Sequence, residues 1–344
     1  MRILHLYRPR LPSTRAQAIQ VLRTCHALAE RGHAVTVLAD RGQEPDHLWL
    51  QMGLEPLPTL DVQISPFRHP GLAGLWFRRR LKRWWGGPPG IVLARDKRRL
   101  LAAIDRLGKR QHTIVLETHE HESGDGDAEP MAVESRCLEV SDALVANCGG
   151  TLEAWATTHP LDLPTHVCHN ASHIHSTEPS APDEHVLVLG SFRKFKGVDQ
   201  MIEAMEGLPF PVRWIGAEHT LDVAEHIRLD GPVPHAEVQQ LVHRARVLVA
   251  PLGDNRFSHH LTSPLKLWDY LGTARPIVTA ETAATDGIMR MSGTAMHRFE
   301  PGNVSAIQAA IRDAWVAPPR VPFRRTWQQR ASELESIFTG AQHA

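Results

Sequence analysis

The stretch Thr262 to Gly272, reading TSPLKLWDYLG, combines residue types that bind anions and sugar hydroxyls. A hydroxyl residue followed by Pro264 reads as a helix start, and Gly272 reads as its stop. The apolar runs Val247 to Leu252 before it and Arg275 to Ala280 after it read as buried strands. The helix start therefore lies beyond the carboxyl end of a strand, where free amides and a positive dipole end attract anions. Lys266 adds a full positive charge one turn in, and Asp269 could accept from a ribose hydroxyl. The pattern suits a phosphorylated sugar or a nucleotide. Taken alone, it also fits an ordinary strand–helix–strand unit.

A second loop of the same kind lies upstream. His185 to Gly190 reads as a strand, and Ser191 to Gly197 (SFRKFKG) as a cationic loop carrying Arg193, Lys194 and Lys196. Val198 to Met205 follows as a helix with Val198, Met201, Ile202 and Met205 on one face. Glycines flanking the loop let backbone amides come close to a ligand. Each charge-assisted contact to a diphosphate would contribute about 1.5–3 kcal/mol, with no metal required. The candidate diphosphate ligands are Arg193, Lys196, Lys266 and the amides of Thr262 and Ser263.

With these loops in view, the chain resembles a GT-B glycosyltransferase, and glycosyltransferase family 4 in particular. The resemblance rests on the order and spacing of MRILHLY, ALAERGHAVTVLA, VLETHEHES, VSDALVANCGGTLEAW, HVCHNASH, VLVLGSFRKFKGVDQMIEAM, LDGPVPHAEVQQLVHRARVLVAPL and TSPLKLWDYLGTARPIV. It implies an α/β fold of two Rossmann-like domains facing an interdomain cleft. Residues 1–165 would form the acceptor domain and 166–320 the nucleotide-sugar donor domain. Residues 321–344 would be a helix returning to the first domain. The resemblance further implies transfer from a nucleotide-diphosphate sugar to a glycan or lipid-linked acceptor, with retained configuration and no metal. It places His119, at the carboxyl end of the strand Thr113 to Leu116, beside the transferred sugar. Glu117 and Glu120 flank it, and neither is assigned as a general base.

The chain departs from the family at informative positions. Leu261 stands where the family has a Glu eight residues before the helix carboxylate, and that later carboxylate is Asp269 rather than Glu. Ser191 replaces the usual Arg after the strand's Gly. The usual Gly pair after the first strand is absent, and the loop there offers Arg15 and Gln17 as candidate acceptor contacts. Leu261 keeps open a catalytically silent nucleotide-sugar-binding scaffold, and a GT-B sugar-nucleotide epimerase is a further alternative.

Composition bounds these expectations. A chain of 344 residues suggests about two domains. Its 42% hydrophobic and 22% charged residues suit globular cores. Zero formal net charge offers no global field for nucleic acid. Four cysteines without CxxC spacing read as reduced thiols, and the chain enters a strand at once without a signal peptide. These features predict a cytoplasmic protein with no membrane-spanning run. Two groups, Glu117 to Glu122 with Asp125 and Asp127, and Cys168, His169, His173 and His175, lack a complete metal-ligand pattern. No metal and no cofactor is therefore expected beyond the nucleotide-sugar substrate.

The remaining elements follow from periodicity and breakers. A strand Arg2 to Tyr7, a helix Arg15 to Arg31 capped by Ser13 or Thr14, and a strand Ala34 to Ala39 open a right-handed βαβ unit. Residues 41–90 read as Pro-rich and irregular. Strands follow at Ile91 to Ala94, Thr113 to Glu117 and Ala143 to Asn147, with helices at Lys97 to Gly108 and Met131 to Val140. Leu161 to Asp183 reads as a linker, and Thr326 to Phe338 as an amphipathic helix. Residues 75–85 mix Arg78, Arg79, Arg80, Lys82 and Arg83 with Trp76, Phe77, Trp84 and Trp85. Such a segment either docks on an anionic bilayer or lipid-linked acceptor, with its tryptophans at the headgroups, or forms a solvated basic helix.

Overall fold

The computed structural model describes residues 1–109, 111–125, 127–174, 183–192, 196–217 and 221–343. The chain forms two compact units. One comprises Met1–His169 with Trp327–Ala344, and the other Asn170–Thr326.

In the first unit the strands are β1 (Arg2–Leu6), β2 (Arg10–Leu11), β3 (Ala34–Arg41), β4 (Leu60–Ile64), β5 (Ile91–Ala94), β6 (Thr113–Thr118), β7 (Ala143–Ala146) and β8 (Thr165–Val167). They pair in parallel in the order β2-β3-β1-β5-β6-β7-β8, with β4 on β3. Ile3 sits opposite Val35 on one side and Ile91 on the other. Strands β5 and β7 are buried at every position, as continuous apolar runs covered on both faces must be. Leu4, Leu6, Val92, Ile114, Leu116 and Leu144 build the core with Trp85 and Trp155.

The helix Trp327–His343 belongs to this first unit. It buries Trp327, Arg330, Ala331, Leu334, Ile337 and Phe338 at helical spacing. It lies against the helix Ala16–Glu30, and its Glu335 pairs with Arg31 and, at 3.2 Å, with His33. Ser13 does not cap that first helix. Arg15 holds the cap position, and the Ser13 hydroxyl instead accepts from the Arg15 amide at 3.2 Å.

Residues 41–90 are not irregular. They contain a helix Leu48–Met52, strand β4 and a helix Pro70–Trp85. The last of these buries Ala73, Phe77, Leu81, Trp84 and Trp85. Arg2 stacks on Trp84 at 3.7 Å, and Trp85 Nε1 donates to the Gly108 carbonyl at 2.8 Å. These two tryptophans are core residues and are not available to a headgroup layer. The cations Arg78, Arg79, Arg80, Lys82 and Arg83 remain exposed, together with Leu72 and Leu75. Among the described residues no helix is long and apolar enough to cross a membrane.

In the second unit the strands are β9 (Val186–Leu189), β10 (Val212–Ile215), β11 (Ile227–Asp230), β12 (Val247–Ala250), β13 (Ile277–Ala280) and β14 (His297–Phe299). All are parallel, in the order β11-β10-β9-β12-β13-β14. The chain runs outward from β9 through β10 and β11, then returns to the other side of β9 as β12. That reversal creates a switch point at the carboxyl ends of β9 and β12, where open parallel sheets bind ligands. Val198, Met201 and Met205 pack with Ile307 and Ile311 over one face of the sheet. Val242, Leu267, Trp268 and Ile288 cover the other.

Candidate active site

The switch point of the second unit is built from glycines and lysines. Gly190, directly after β9, has φ +126°, a conformation that side-chain-bearing residues rarely adopt. A Cβ placed there would meet Lys266 Nζ at 2.8 Å and Lys196 Nζ at 3.5 Å. Two ammonium groups thus converge on one backbone position. Gly216 backs the turn, and a Cβ on it would lie 3.1 Å from the Gly190 carbonyl carbon. Trp214 Nε1 holds the Gly190 carbonyl at 2.8 Å, and Phe192 stacks edge-on against Trp214 at 4.6 Å.

The electrostatics at this position favour an anion. Lys266 Nζ donates to the Leu189 carbonyl, and no carboxylate pairs with Lys266 among the described residues. Burial first, and then the neighbouring Lys196 charge, hold the Lys266 ammonium well below the usual lysine range. Lys196 Nζ donates to Ser191 Oγ at 3.3 Å. Arg193, the third expected cation, lies outside the described residues.

The helix carrying Lys266 begins later than expected. It spans Leu265–Leu271 with Pro264 at the cap, so Lys266 is its second residue. Thr262 is extended, at φ −110° and ψ 143°, and follows a five-residue π-helical turn, Phe257–Leu261. The Ser263 hydroxyl is not a helix cap. It accepts from Trp268 Nε1 at 2.9 Å, while the Ser263 carbonyl accepts from Asn170 Nδ2 at 2.7 Å. Thr262 and Ser263 are both buried and brace the loop. The amides of Leu267 and Trp268 donate to the Pro264 carbonyl, at 3.0 and 3.4 Å, which leaves those of Leu265 and Lys266 without an intrahelical acceptor. Gly272 is required for space and not for a left-handed turn: its φ is −67°, and a Cβ would meet the Ile174 carbonyl oxygen at 2.1 Å.

Asp269 is not an open carboxylate presented to a ribose. It is 5% exposed, its Oδ1 accepts from Ser172 Oγ at 2.6 Å, and its Oδ2 lies 3.9 Å from His235 Nε2. Burial alone would raise its pKa, but His235, His173 and Ser172 together hold it below the usual carboxylate range. Leu261 is likewise buried, so the position where the family carries a Glu offers no polar group.

The first unit holds a separate polar centre around Glu117, at the end of β6. This carboxylate is 1% exposed. It accepts from Gln20 Nε2 at 3.0 Å, from His119 Nε2 at 3.0 Å and from the fully buried Arg330, and His5 Nε2 lies 3.3 Å away. Burial would raise its pKa, but the His119 and His5 hydrogen bonds and the Arg330 charge hold it well below the usual range. Burial and the Arg95 guanidinium push His119 down to about 4, against the pull of Glu117. The imidazole is therefore neutral at pH 7. An ionised carboxylate can only accept, so His119 carries its proton on Nε2 and presents Nδ1 as a lone pair. Sequence spacing could not reveal this hub, because Arg330 lies far along the chain from Glu117. Arg15 and Gln17 are exposed at the start of the first helix, where Tyr7 OH donates to Gln17 Oε1 at 2.8 Å.

The sequence profile described as Glycosyltransferase Family 4 matches residues 17–173. Curated protein sequences give no match. Solved structures match over the whole chain. Sucrose-phosphate synthase from Thermosynechococcus elongatus superposes with a TM-score of 0.68 at 13% identity, covering 100% of this chain and 96% of that one. Anabaena HepE in complex with UDP and glucose superposes at 0.66 and 14% identity, covering 100% and 97%. The chain has the GT-B fold. The profile ends at residue 173, whereas the GT-B likeness continues through the second unit and its lysine-lined switch point. UDP-GlcNAc 2-epimerase from Methanocaldococcus jannaschii also shares this GT-B architecture, with a TM-score of 0.60 at 11% identity, covering 99% and 100%.

Proposed function

We propose that this chain is a glycosyltransferase that takes a sugar from a nucleotide-diphosphate donor and passes it to a glycan or lipid-linked acceptor, with retention and without a metal at the diphosphate. The observation that carries this proposal is the convergence of Lys196 and Lys266 on Gly190, with Lys266 buried and, among the described residues, not paired with a carboxylate. A diphosphate supplies the missing negative charge, and the two ammonium groups stabilise it as it departs. The amides of Leu265 and Lys266, at the start of the same helix, add donors to this anion. Arg193 would complete the set. His119, fixed by Glu117, offers Nδ1 as an acceptor for a sugar hydroxyl. Arg15 and Gln17 remain the proposed acceptor contacts. The exposed cations of the helix Pro70–Trp85, beside exposed Phe67, Leu72 and Leu75, suit a peripheral position on an anionic membrane.

The buried Leu261 favours a second reading, in which the nucleotide sugar is bound but not transferred, and the epimerase likeness favours a third. One experiment separates them. Purified protein is incubated with a panel of nucleotide sugars, with and without glycan or lipid-linked acceptors, and products are followed by mass spectrometry. Transfer or donor hydrolysis supports the proposal. Interconversion of two nucleotide sugars identifies an epimerase. Nucleotide binding without turnover on the whole panel refutes the transferase and leaves the binding protein.

A further inference from the structure

The carboxylate of Asp269 faces two imidazoles. His173, His235 and Asp269 each present one ligand atom, and all three atoms lie within 4.8 Å of one another. The two rings are 4.5 Å apart between centroids. The three residues come from different segments: residues 170–174, the helix His235–Arg244 and the helix Leu265–Leu271. We propose that they form a binding site for one divalent transition-metal ion, zinc in the first instance, which clamps these segments together.

Three features support the assignment. Two imidazoles and one carboxylate form a donor set typical of zinc with three protein ligands and water. The carboxylate is already oriented for this role. Ser172 holds Oδ1 at 2.6 Å, which turns Oδ2 towards the imidazoles, as outer-shell partners of metal ligands do. The charge balance points the same way. Among the described residues no lysine or arginine pairs with the buried Asp269.

The other His/Glu cluster provides the contrast. His121, Glu134 and His159 also converge, but there Lys97 Nζ already sits 2.7 Å from Glu134 and supplies the cation. Zinc bonds of about 2.0–2.2 Å would place tetrahedral ligand atoms roughly 3.3 Å apart. The His235–Asp269 separation is 3.9 Å, so metal binding would draw these two atoms together by about 0.6 Å. This assignment does not rest on the glycosyltransferase proposal.

The test uses the full chain after chelator treatment, with zinc and cobalt(II) as probes. The expected result is one zinc per chain, a melting temperature raised by zinc, and a cobalt(II) visible spectrum of low-symmetry nitrogen and oxygen ligation. His235→Ala and His173→Ala abolish binding, Ser172→Ala weakens it by about 10- to 100-fold, and His121→Ala leaves it intact. If a ligand variant fails to fold, the cobalt spectrum of the unaltered chain decides the matter. No zinc uptake, no cobalt spectrum, or zinc uptake that persists in His173→Ala/His235→Ala overturns the assignment.

Discussion

Replacing Lys266 by Met separates binding from stability, because the two should move in opposite directions. Met keeps the length of the side chain and removes the charge. In the free protein that charge is buried, lies close to Lys196 and has no carboxylate partner among the described residues. Its removal should therefore stabilise the fold. A bound diphosphate would lose one charge-assisted contact of about 1.5–3 kcal/mol, which lowers affinity about 10- to 150-fold. The pH dependence has a defined sign. The folded state holds the Lys266 proton less tightly than the unfolded chain, so stability rises as pH climbs through the folded value towards the ordinary lysine value. The Met variant should lack that rise. Diphosphate binding favours the charged form, so binding should take up a proton within the same window. Calorimetric titration with UDP and ADP in two buffers of different protonation enthalpy, alongside thermal melts, reads all of these quantities. Arg290→Ala, exposed on the helix Ala283–Ser292, is the control. A Met variant that binds nucleotide as tightly as the unaltered chain, or that is less stable with affinity unchanged, would refute the assignment of Lys266 to the diphosphate.

Other perturbations follow the same logic. His119→Ala should lower turnover more than nucleotide affinity; since His119 titrates at about 4, the unaltered chain should show no loss attributable to its protonation until the pH nears that value. Unchanged turnover in the variant would remove His119 from the chemistry. Arg330→Met strands the Glu117 carboxylate without its permanent cation and should cost about 3–5 kcal/mol in urea unfolding. Adding Glu117→Gln should restore part of that loss, and a single-variant cost below about 1 kcal/mol would show that the ion pair contributes little. Changing Arg78, Arg79, Arg80, Lys82 and Arg83 to Gln should abolish co-sedimentation with anionic liposomes at low salt. Binding that ignores salt, or no binding by the unaltered chain, would return the helix to a solvated surface.

Much of the fold was legible because buried parallel strands are short apolar runs. The expected strands at Ile91, Thr113, Ala143, Val247 and Ile277 stand within a few residues of their observed bounds. The segment 41–90 was missed for identifiable reasons. Strand β4 interleaves Asp61 and Gln63 with its apolar residues, and the prolines around it mimic a loop. In the helix Pro70–Trp85, the cationic run hides the buried spacing of Ala73, Phe77, Leu81 and Trp84. At the candidate site, the lysines and Gly190 could be chosen locally because their loops follow strands. The burial of Asp269 is not legible in the sequence, because its partners, Ser172 and His235, lie far from it along the chain. The Glu117 hub was invisible for the same reason, since nothing near Glu117 announces Arg330.

The first unit is interrupted in sequence, and this has a consequence for the order of synthesis. Residues 1–169 leave the ribosome well before the helix Trp327–His343, while the second unit is a single uninterrupted stretch. Until the last helix emerges, Glu117 has no Arg330, and the helix Ala16–Glu30 lacks its covering partner. The second unit should therefore mature first, although it is translated second, and the first should wait as an open sheet with an uncompensated carboxylate. Limited proteolysis of ribosome-arrested chains that end at residue 326 and continue into a flexible linker long enough to clear the exit tunnel would reveal this order, with the second unit resistant and the first cleaved. Resistance of both units in the arrested chain would show that the early residues close without their final helix.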